Sequence, residues 1–270
     1  MNNASKYVII TDKINKRALF LRDLIREGGD GCEMFGRERL FEKNVPLPFE
    51  NEEVNVVSGP RTDERTAAAI VGRYPRIKKL YCGGVTPECE ELLRASGAVH
   101  KDIYSGDGFA KKNAVPTAEG TLAEAIRATD FCLNERNVLI LGWGRVAKEV
   151  YRVFTGIGAF VTAALRDREK AARIVSAGGS AIILENGAIP ESADLSAFSV
   201  VINTIPYPGV LDEKTLGRMK NAVYIELARS DAPEKAAKSG IRCISAAGLP
   251  SVYAPRDAAR YIYEALTEER

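Results

Sequence analysis

The chain has 270 residues, 46% hydrophobic and 27% charged, a composition that fits a globular protein of one large or two ordinary domains. A formal net charge of +2 gives no field suited to gathering nucleic acid or an anionic membrane. No apolar run approaches the roughly 20 residues of a membrane span and Met1-Asn2-Asn3-Ala4-Ser5 starts no signal peptide, so the expectation is a soluble, cytoplasmic protein.

In the first half, Tyr7-Val8-Ile9-Ile10 reads as a strand, and Lys16 to Glu27 as an amphipathic helix whose apolar members are Leu19, Phe20, Leu24 and Ile25. Gly28-Gly29 stops that helix. Residues 42–52, acidic and proline-containing, read as a surface loop. Val54 to Val57 and Lys79 to Cys82 are further strands, each followed by a turn, Ser58-Gly59-Pro60 and Gly83-Gly84. A helix from Glu88 to Ala95 and a strand from Val99 to Tyr104 complete a small α/β unit. The five cysteines, Cys32, Cys82, Cys89, Cys132 and Cys243, are odd in number and contain no CxxC pair, which predicts reduced thiols. His100 is the single histidine, so multi-histidine metal sites are excluded and a histidine general base is disfavoured.

Val115-Pro116-Thr117-Ala118-Glu119-Gly120-Thr121 separates the halves, and a helix follows through Phe131. Pro116 is read as setting the helix entry and Thr117 as its N-cap. Beyond it, strand-like runs recur with helices between them, at residues 138–141, 160–165, 181–184, 200–203, 222–227 and 241–244. Six near-continuous apolar runs suit a parallel sheet covered on both faces. Residues 191–198 read as a polar connection, and Pro255 to Leu266 as an alanine-rich helix. The predicted fold is α/β, with a smaller flavodoxin-like amino-terminal domain over residues 1–114, joined by the carboxyl-terminal helix 252–270. A crossover helix spans 115–136, and a doubly wound Rossmann domain spans 137–251. The natural ligand site of such a layout is an inter-domain cleft.

Residues 138–150 carry the strongest motif. Val138 to Leu141 run into Gly142-x-Gly144-x-x-Ala147 and then into a helix-compatible segment, the dinucleotide-binding fingerprint in its strand, turn and helix context. Gly142, Trp143, Gly144, Arg145 and Val146 are the candidate pyrophosphate residues, through backbone N–H groups at the positive end of the helix. In NAD-binding versions an acid about 20 residues on takes the ribose 2′-hydroxyl. That position holds Leu165, and the next charges are Arg166, Asp167 and Arg168. Guanidinium groups bind phosphate bidentately, so Arg166 and Arg168 favour NADP over NAD. Asp167 leaves two alternatives open: it repels a 2′-phosphate, or takes the 2′-hydroxyl itself. Asn203, Thr204, Ile205 and Pro206 end the fourth strand, where a loop borders the nicotinamide. Arg229 follows the fifth strand and is a candidate for a substrate carboxylate. Thr117, Glu119 and Thr121 are candidate anion contacts at the start of the crossover helix. Each of these side chains also has an ordinary reading as a cap, a turn or a surface charge.

VPTAEGTLAEAIRATD at 115–130, LGWGR at 141–145, VINTIP at 201–206 and GLPSVYAP at 248–255 together resemble the family of the dipicolinate synthase A-type subunit, found in spore-forming bacteria. The resemblance runs from about Asn113 to the carboxyl terminus. It implies an NADP-linked oxidoreductase that converts a cyclic dicarboxylate to pyridine-2,6-dicarboxylate during sporulation. It further implies a flavoprotein-like partner, the B-type subunit, and an oligomeric assembly. It does not assign a catalytic residue or a metal. The chain departs from the family pattern after the fifth strand: a serine, a proline and two glycines are expected there, against Glu226-Leu227-Ala228-Arg229-Ser230-Asp231-Ala232-Pro233 here. It also departs around Ser58-Gly59-Pro60-Arg61. A nucleotide-binding regulatory protein and a D-2-hydroxyacid dehydrogenase stand as the alternatives. The second needs an Arg with a Glu–His pair in the second half, where no histidine occurs.

Overall fold

A computed structural model describes residues 4–207, 211–219, 221–228 and 230–268. It divides into two compact units, Met1–Asn113 with Ala254–Arg270, and Ala114–Tyr253. No described helix is long and apolar enough to cross a membrane.

The first unit contains β1 (Lys6–Thr11), α1 (Lys16–Glu27), β2 (Gly31–Gly36), a short 3-10 turn (Arg37–Phe41), β3 (Val54–Val57), α2 (Glu64–Arg73), β4 (Ile77–Cys82), α3 (Pro87–Ala95) and β5 (Val99–Asp102). Its sheet is wholly parallel with order β2-β1-β3-β4-β5, the flavodoxin-like arrangement. Alternation along the strands separates two cores. Val8, Ile10, Val56 and Leu80 face one layer. Tyr7, Ile9, Val57 and Tyr81 face the other, which also holds Ala259, Ile262 and Leu266 of α10 (Pro255–Glu268).

Three features of this unit differ from the sequence reading. β2 and α2 are additional elements. Gly31-Cys32-Glu33-Met34-Phe35-Gly36 is glycine-bounded and interrupted by a charge, so it shows little strand pattern. In α1 the buried stripe is Ala18, Leu21 and Ile25, at i, i+3 and i+7. Leu19, expected inside, is 37% exposed. Asn15 caps this helix, its Oδ1 accepting from the Ala18 N–H at 3.0 Å.

The larger correction concerns α4 (Asp107–Ala128). It begins nine residues before Pro116, so Pro116 lies inside the helix and Thr117 is not its N-cap. Nor does the helix reach residue 136. Proline lacks the N–H that would bond to the Lys112 carbonyl, which removes one rung while the flanking turns continue. Gly108 and Asn113 weaken the helical pattern upstream, and this made the proline look like a start. The boundary between the two units falls within this helix.

The second unit follows with β6 (Asn137–Leu141), α5 (Arg145–Gly156), β7 (Phe160–Leu165), α6 (Arg168–Ser176), β8 (Ser180–Ile183), β9 (Val200–Asn203), α7 (Glu213–Gly217), β10 (Val223–Glu226), α8 (Ala232–Lys238), β11 (Cys243–Ser245) and α9 (Leu249–Tyr253). Its parallel sheet has order β11-β10-β9-β6-β7-β8, the doubly wound Rossmann order 6-5-4-1-2-3. Val138, Ile140, Val200 and Ile202 face a core shared with Ala118 and Ala125 of α4 and Ala147, Val150 and Phe154 of α5. Leu139, Leu141, Val201 and Tyr224 face the opposite core, under α7 and α8.

Gly120 sets how closely α4 approaches α9. A Cβ there would lie 2.8 Å from Leu249 Cβ and 2.9 Å from Tyr253 Cδ2, whereas at Gly72, near the end of α2, nothing lies within 4 Å. Alanine gains up to about 1 kcal/mol over glycine inside a helix, and overpacking costs about 1–3 kcal/mol. Gly72→Ala should therefore raise the urea midpoint by about 0.5 kcal/mol equivalent, and Gly120→Ala should lower it by about 1 kcal/mol. A stabilising Gly120→Ala would contradict the described packing of α9 on α4.

Candidate functional site

In the second sheet β6 lies between β7 and β9, and the connections leave to opposite sides, so a crevice opens beyond the strand ends at this switch point. The register levels those ends: Leu141 pairs with Ala164 and with Asn203, and Asn203 pairs with Glu226. A groove of about 330 Å³ occupies the crevice, lined by Gly142, Trp143, Gly144, Leu165, Arg166, Asp167, Lys170, Leu184 and Thr204 to Pro206.

Gly142 has φ +105°, a region that side-chain-bearing residues rarely adopt, and a Cβ there would lie 2.5 Å from Thr204 Oγ1. Thr204 closes on the turn from the other side, its hydroxyl donating to the Leu141 carbonyl at 2.7 Å and its N–H to the same oxygen at 3.1 Å. Gly144 is a different case. It caps α5 with φ −80° and ψ −168°, an extended conformation open to any residue, and no atom lies within 4 Å of its absent Cβ. No side chain of the N-cap residue bonds this helix start, whose first amides have no intrahelical acceptor and lie at the positive end of the helix. Ala147 is fully buried in the core between helix and sheet. Val146 packs its side chain on that core. Arg145 opens α5 and is exposed.

At the end of β7, Leu165 is buried and lines the groove where an acid would take a ribose hydroxyl. Arg166 is exposed on the groove. Asp167 is committed locally: Oδ1 accepts from the Lys170 N–H at 3.0 Å, capping α6, and Oδ2 pairs with Lys170 Nζ at 2.8 Å. The Lys170 side chain and the capping amide together hold the Asp167 carboxyl below the usual carboxylate range. Arg168 is the first residue of α6 and does not line the groove. Lys170 does, and it was not anticipated; the sequence signal is its position three residues after a capping aspartate.

The wall at 204–206 is positioned from beneath. Asn203 is buried; its Oδ1 accepts from the Ile205 N–H at 2.9 Å, and its Nδ2 donates to the Ile205 carbonyl at 3.2 Å and to both oxygens of Glu226, at 3.2 and 3.1 Å. Its amide is thus engaged within the protein, which removes the expectation that it orients a nicotinamide directly. Glu226, 2% exposed, also accepts from Tyr224 Oη at 2.6 Å, from the Ala228 N–H at 2.7 Å and from Ser230 Oγ at 2.7 Å. Every partner can donate, as a buried carboxylate requires. Burial, reinforced by the Glu226 carboxylate, pushes the Tyr224 hydroxyl well above the ordinary phenol range.

The remaining candidates are not part of this groove. Thr117, Glu119 and Thr121 stand in the interior of α4, where successive amides bond within the helix and present no anion site. Thr121 is buried with its hydroxyl on the Thr117 carbonyl at 2.7 Å, and Glu119 is exposed. Arg229 lies outside the described residues. Tyr253 donates to Glu124 Oε1 at 2.6 Å and accepts from Arg127 Nη1 at 3.2 Å, tying α9 to α4. His100 places Nε2 3.2 Å from the Gly83 carbonyl, a structural contact. Burial pushes the Cys32 thiol up to about 12, and those of Cys82 and Cys243 to about 11, so none of the three offers a thiolate near neutral pH. Among the described residues no group of three or more His, Cys, Asp or Glu is placed to hold a metal ion.

The Glu226 cluster predicts an ordered set of losses. Tyr224→Phe removes one donor and should cost about 1–2 kcal/mol of unfolding free energy. Glu226→Leu leaves buried donors of Asn203, Tyr224 and the 228 amide without an acceptor and should cost about 3 kcal/mol or more. Guanidinium denaturation measures both, and a Glu226→Leu protein as stable as the parent would show that the carboxylate is not the hub.

No protein-family model matches the chain. In sequence it is 28% identical over 233 residues to the A-type subunit of dipicolinate synthase from Bacillus subtilis (strain 168), covering 83% of this chain and 72% of that protein. The crystal structure of the corresponding dipicolinate synthase polypeptide from Bacillus halodurans superposes with a TM-score of 0.77 at 24% identity, covering 100% of this chain and 98% of the other. A Salmonella D-lactate dehydrogenase shares the fold at a TM-score of 0.61 and 12% identity, over 97% of this chain and 95% of the other. The chain thus has the two-sheet α/β fold of Rossmann-type dehydrogenases and, in sequence as in fold, resembles the A-type subunit of dipicolinate synthase.

Proposed function

We propose that the protein is a nicotinamide-dependent oxidoreductase that prefers NADP to NAD and acts on a cyclic dicarboxylate of the dihydrodipicolinate type. The observation that carries the nucleotide reading is Gly144. Its backbone conformation suits any residue and its missing Cβ would meet no protein atom, so the protein's own packing does not call for glycine there. A pyrophosphate lying against uncapped helix amides does. Gly142 and Trp143 line the groove beside it and Thr204 to Pro206 form the facing wall; Arg145 and Val146 would complete the cradle through their backbone N–H groups.

Bound NADP would supply a hydride acceptor. The chain's own contribution is the cradle, the wall held through Asn203, and a β7 end that offers an apolar Leu165 and a cationic Arg166 in place of an acid. Likeness to the dipicolinate synthase polypeptide supports the cyclic dicarboxylate substrate, a role in spore formation and a B-type partner. Arg229, three residues beyond β10 in sequence, is our candidate for a substrate carboxylate.

Trp143 is the chain's single tryptophan and lines the groove, so its fluorescence reports occupancy directly. Titration should give tighter binding of NADP than of NAD; equal affinities or an NAD preference would sink the cofactor assignment. Gly144→Val should abolish both while leaving the denaturation midpoint within about 0.5 kcal/mol of the parent. The pH dependence follows in sign. Asp167 has a depressed pKa, so its charge is complete above the usual carboxylate range and does not change between about pH 5 and 8. A phosphate monoester loses its second charge below about pH 6, so the NADP advantage should shrink there while NAD affinity stays level. Freshly generated hydroxytetrahydrodipicolinate, supplied with NADP and the B-type partner, should reduce the cofactor. Absence of turnover with intact NADP binding would favour a non-catalytic nucleotide-binding protein.

A further inference from the structure

A second concavity of the second unit is not at the strand ends. It lies between α5 and α6, with a volume of about 660 Å³, inside the range of about 300–1,000 Å³ usual for small-molecule sites. Its apolar wall is Trp143 packed edge-to-face on Tyr151, with centroids 5.2 Å apart and planes at 83°. Its cations are Lys148, Lys170 and Arg173, and no carboxylate lines it.

Trp143 and Lys170 line both this cavity and the groove above β6, β7 and β9, so the two adjoin at these side chains. In a dinucleotide site the ribose 2′ position stands at the end of the second strand. Here that end is Leu165 and Arg166, which line the same groove as Lys170. We infer that Lys170 is the residue that reads a 2′-phosphate, with the α5–α6 cavity, through Arg173 and Lys148, receiving the outer side of that phosphate.

The inference rests on the dinucleotide reading of the groove; it keeps Arg166, which lines the groove, beside the phosphate and replaces Arg168, which lines neither cavity, with Lys170 as the discriminating residue. Asp167 is the one carboxylate that lines either cavity; Glu169, which lies 3.9 Å from Arg173 on the exposed face of α6, lines neither. Across both cavities the lining groups are four cations, Lys148, Arg166, Lys170 and Arg173, against that single carboxylate. Its ion pair with Lys170 is exposed, and such pairs contribute little. Because the other Asp167 oxygen stays on the capping amide, the lysine ammonium can turn to a phosphate without stranding the carboxylate.

The test uses the full chain, Trp143 fluorescence, and two probes without a nicotinamide: adenosine 2′,5′-bisphosphate and 5′-AMP. The bisphosphate should bind the parent more tightly, and rising salt should erode that advantage. Lys170→Gln should weaken the bisphosphate about tenfold, the loss expected for one charge-assisted contact, and leave 5′-AMP within about twofold. Asp167→Asn, which keeps a capping oxygen, should strengthen the bisphosphate severalfold. Lys170→Gln changing both probes equally, or neither, would overturn the inference, as would Arg168→Gln carrying the discrimination. Binding of neither probe and neither dinucleotide to the parent would instead overturn the dinucleotide reading, and this inference with it.

Discussion

The reversal at Gly142 is the constraint on which the second unit's site depends. Strand β6 ends at Leu141, the next residue takes φ +105°, and α5 starts at Arg145, so three residues turn a buried strand into a helix aimed back across the sheet. Such a turn would be free to flex were it not held, and Thr204 holds it. Its two hydrogen bonds to the Leu141 carbonyl, and its hydroxyl in the space a Cβ at 142 would need, join the ends of β6 and β9 into one rim. The position of the α5 amides is therefore a property of two strands and not of a glycine loop alone.

A second rim is built where burial makes polarity expensive. Glu226 ends a strand whose other members are apolar or aromatic, and a carboxylate taken out of water is tolerated only when its lone pairs are occupied. Occupying them recruits Asn203 from the neighbouring strand, Tyr224 from two residues back and the 228 amide beyond, which ties the loops after β9 and β10 to one group. Asn203 in turn orients Ile205, so a residue that does not line the groove governs its wall.

Much of this was legible in the sequence, for physical reasons that also mark the limits. Apolar runs such as Val138 to Leu141 and Val200 to Ile202 are buried on both faces, and so the strands of the second sheet announced themselves. Gly142 carried backbone information, a φ of +105°, that side-chain-bearing residues rarely supply. Signals failed where one residue has two meanings. Pro116 punctuates most helices at their start, yet here it sits mid-helix, so the supposed anion contacts at 117, 119 and 121 lie in a continuous run. Asn203 looked like a ligand amide because its partner, Glu226, is 23 residues away in sequence and meets it only through strand register. Lys170 was missed because its place three residues after the capping Asp167 marks a helix start and not a ligand contact; the fold brings it to the mouth of two cavities.

Asp167 and Glu226 show how the same chemical group does different work at two strand ends of one sheet. Asp167 is solvent-exposed, satisfied by the start of its own helix and an adjacent lysine, and its partners lower its pKa. Its contribution to α6 is complete above the ordinary carboxylate range and is lost as pH falls through its depressed value, well below neutrality. Glu226 is sealed among donors from the ends of β9 and β10, and its removal leaves several of them unpaired at once. The exposed carboxylate can exchange a partner with an incoming anion; the buried one cannot without opening the rim. On the proposed dinucleotide reading, ligand discrimination would belong at the β7 end, where the charges are exposed, and rigidity at the β9 and β10 ends, where the reacting part of the dinucleotide would lie.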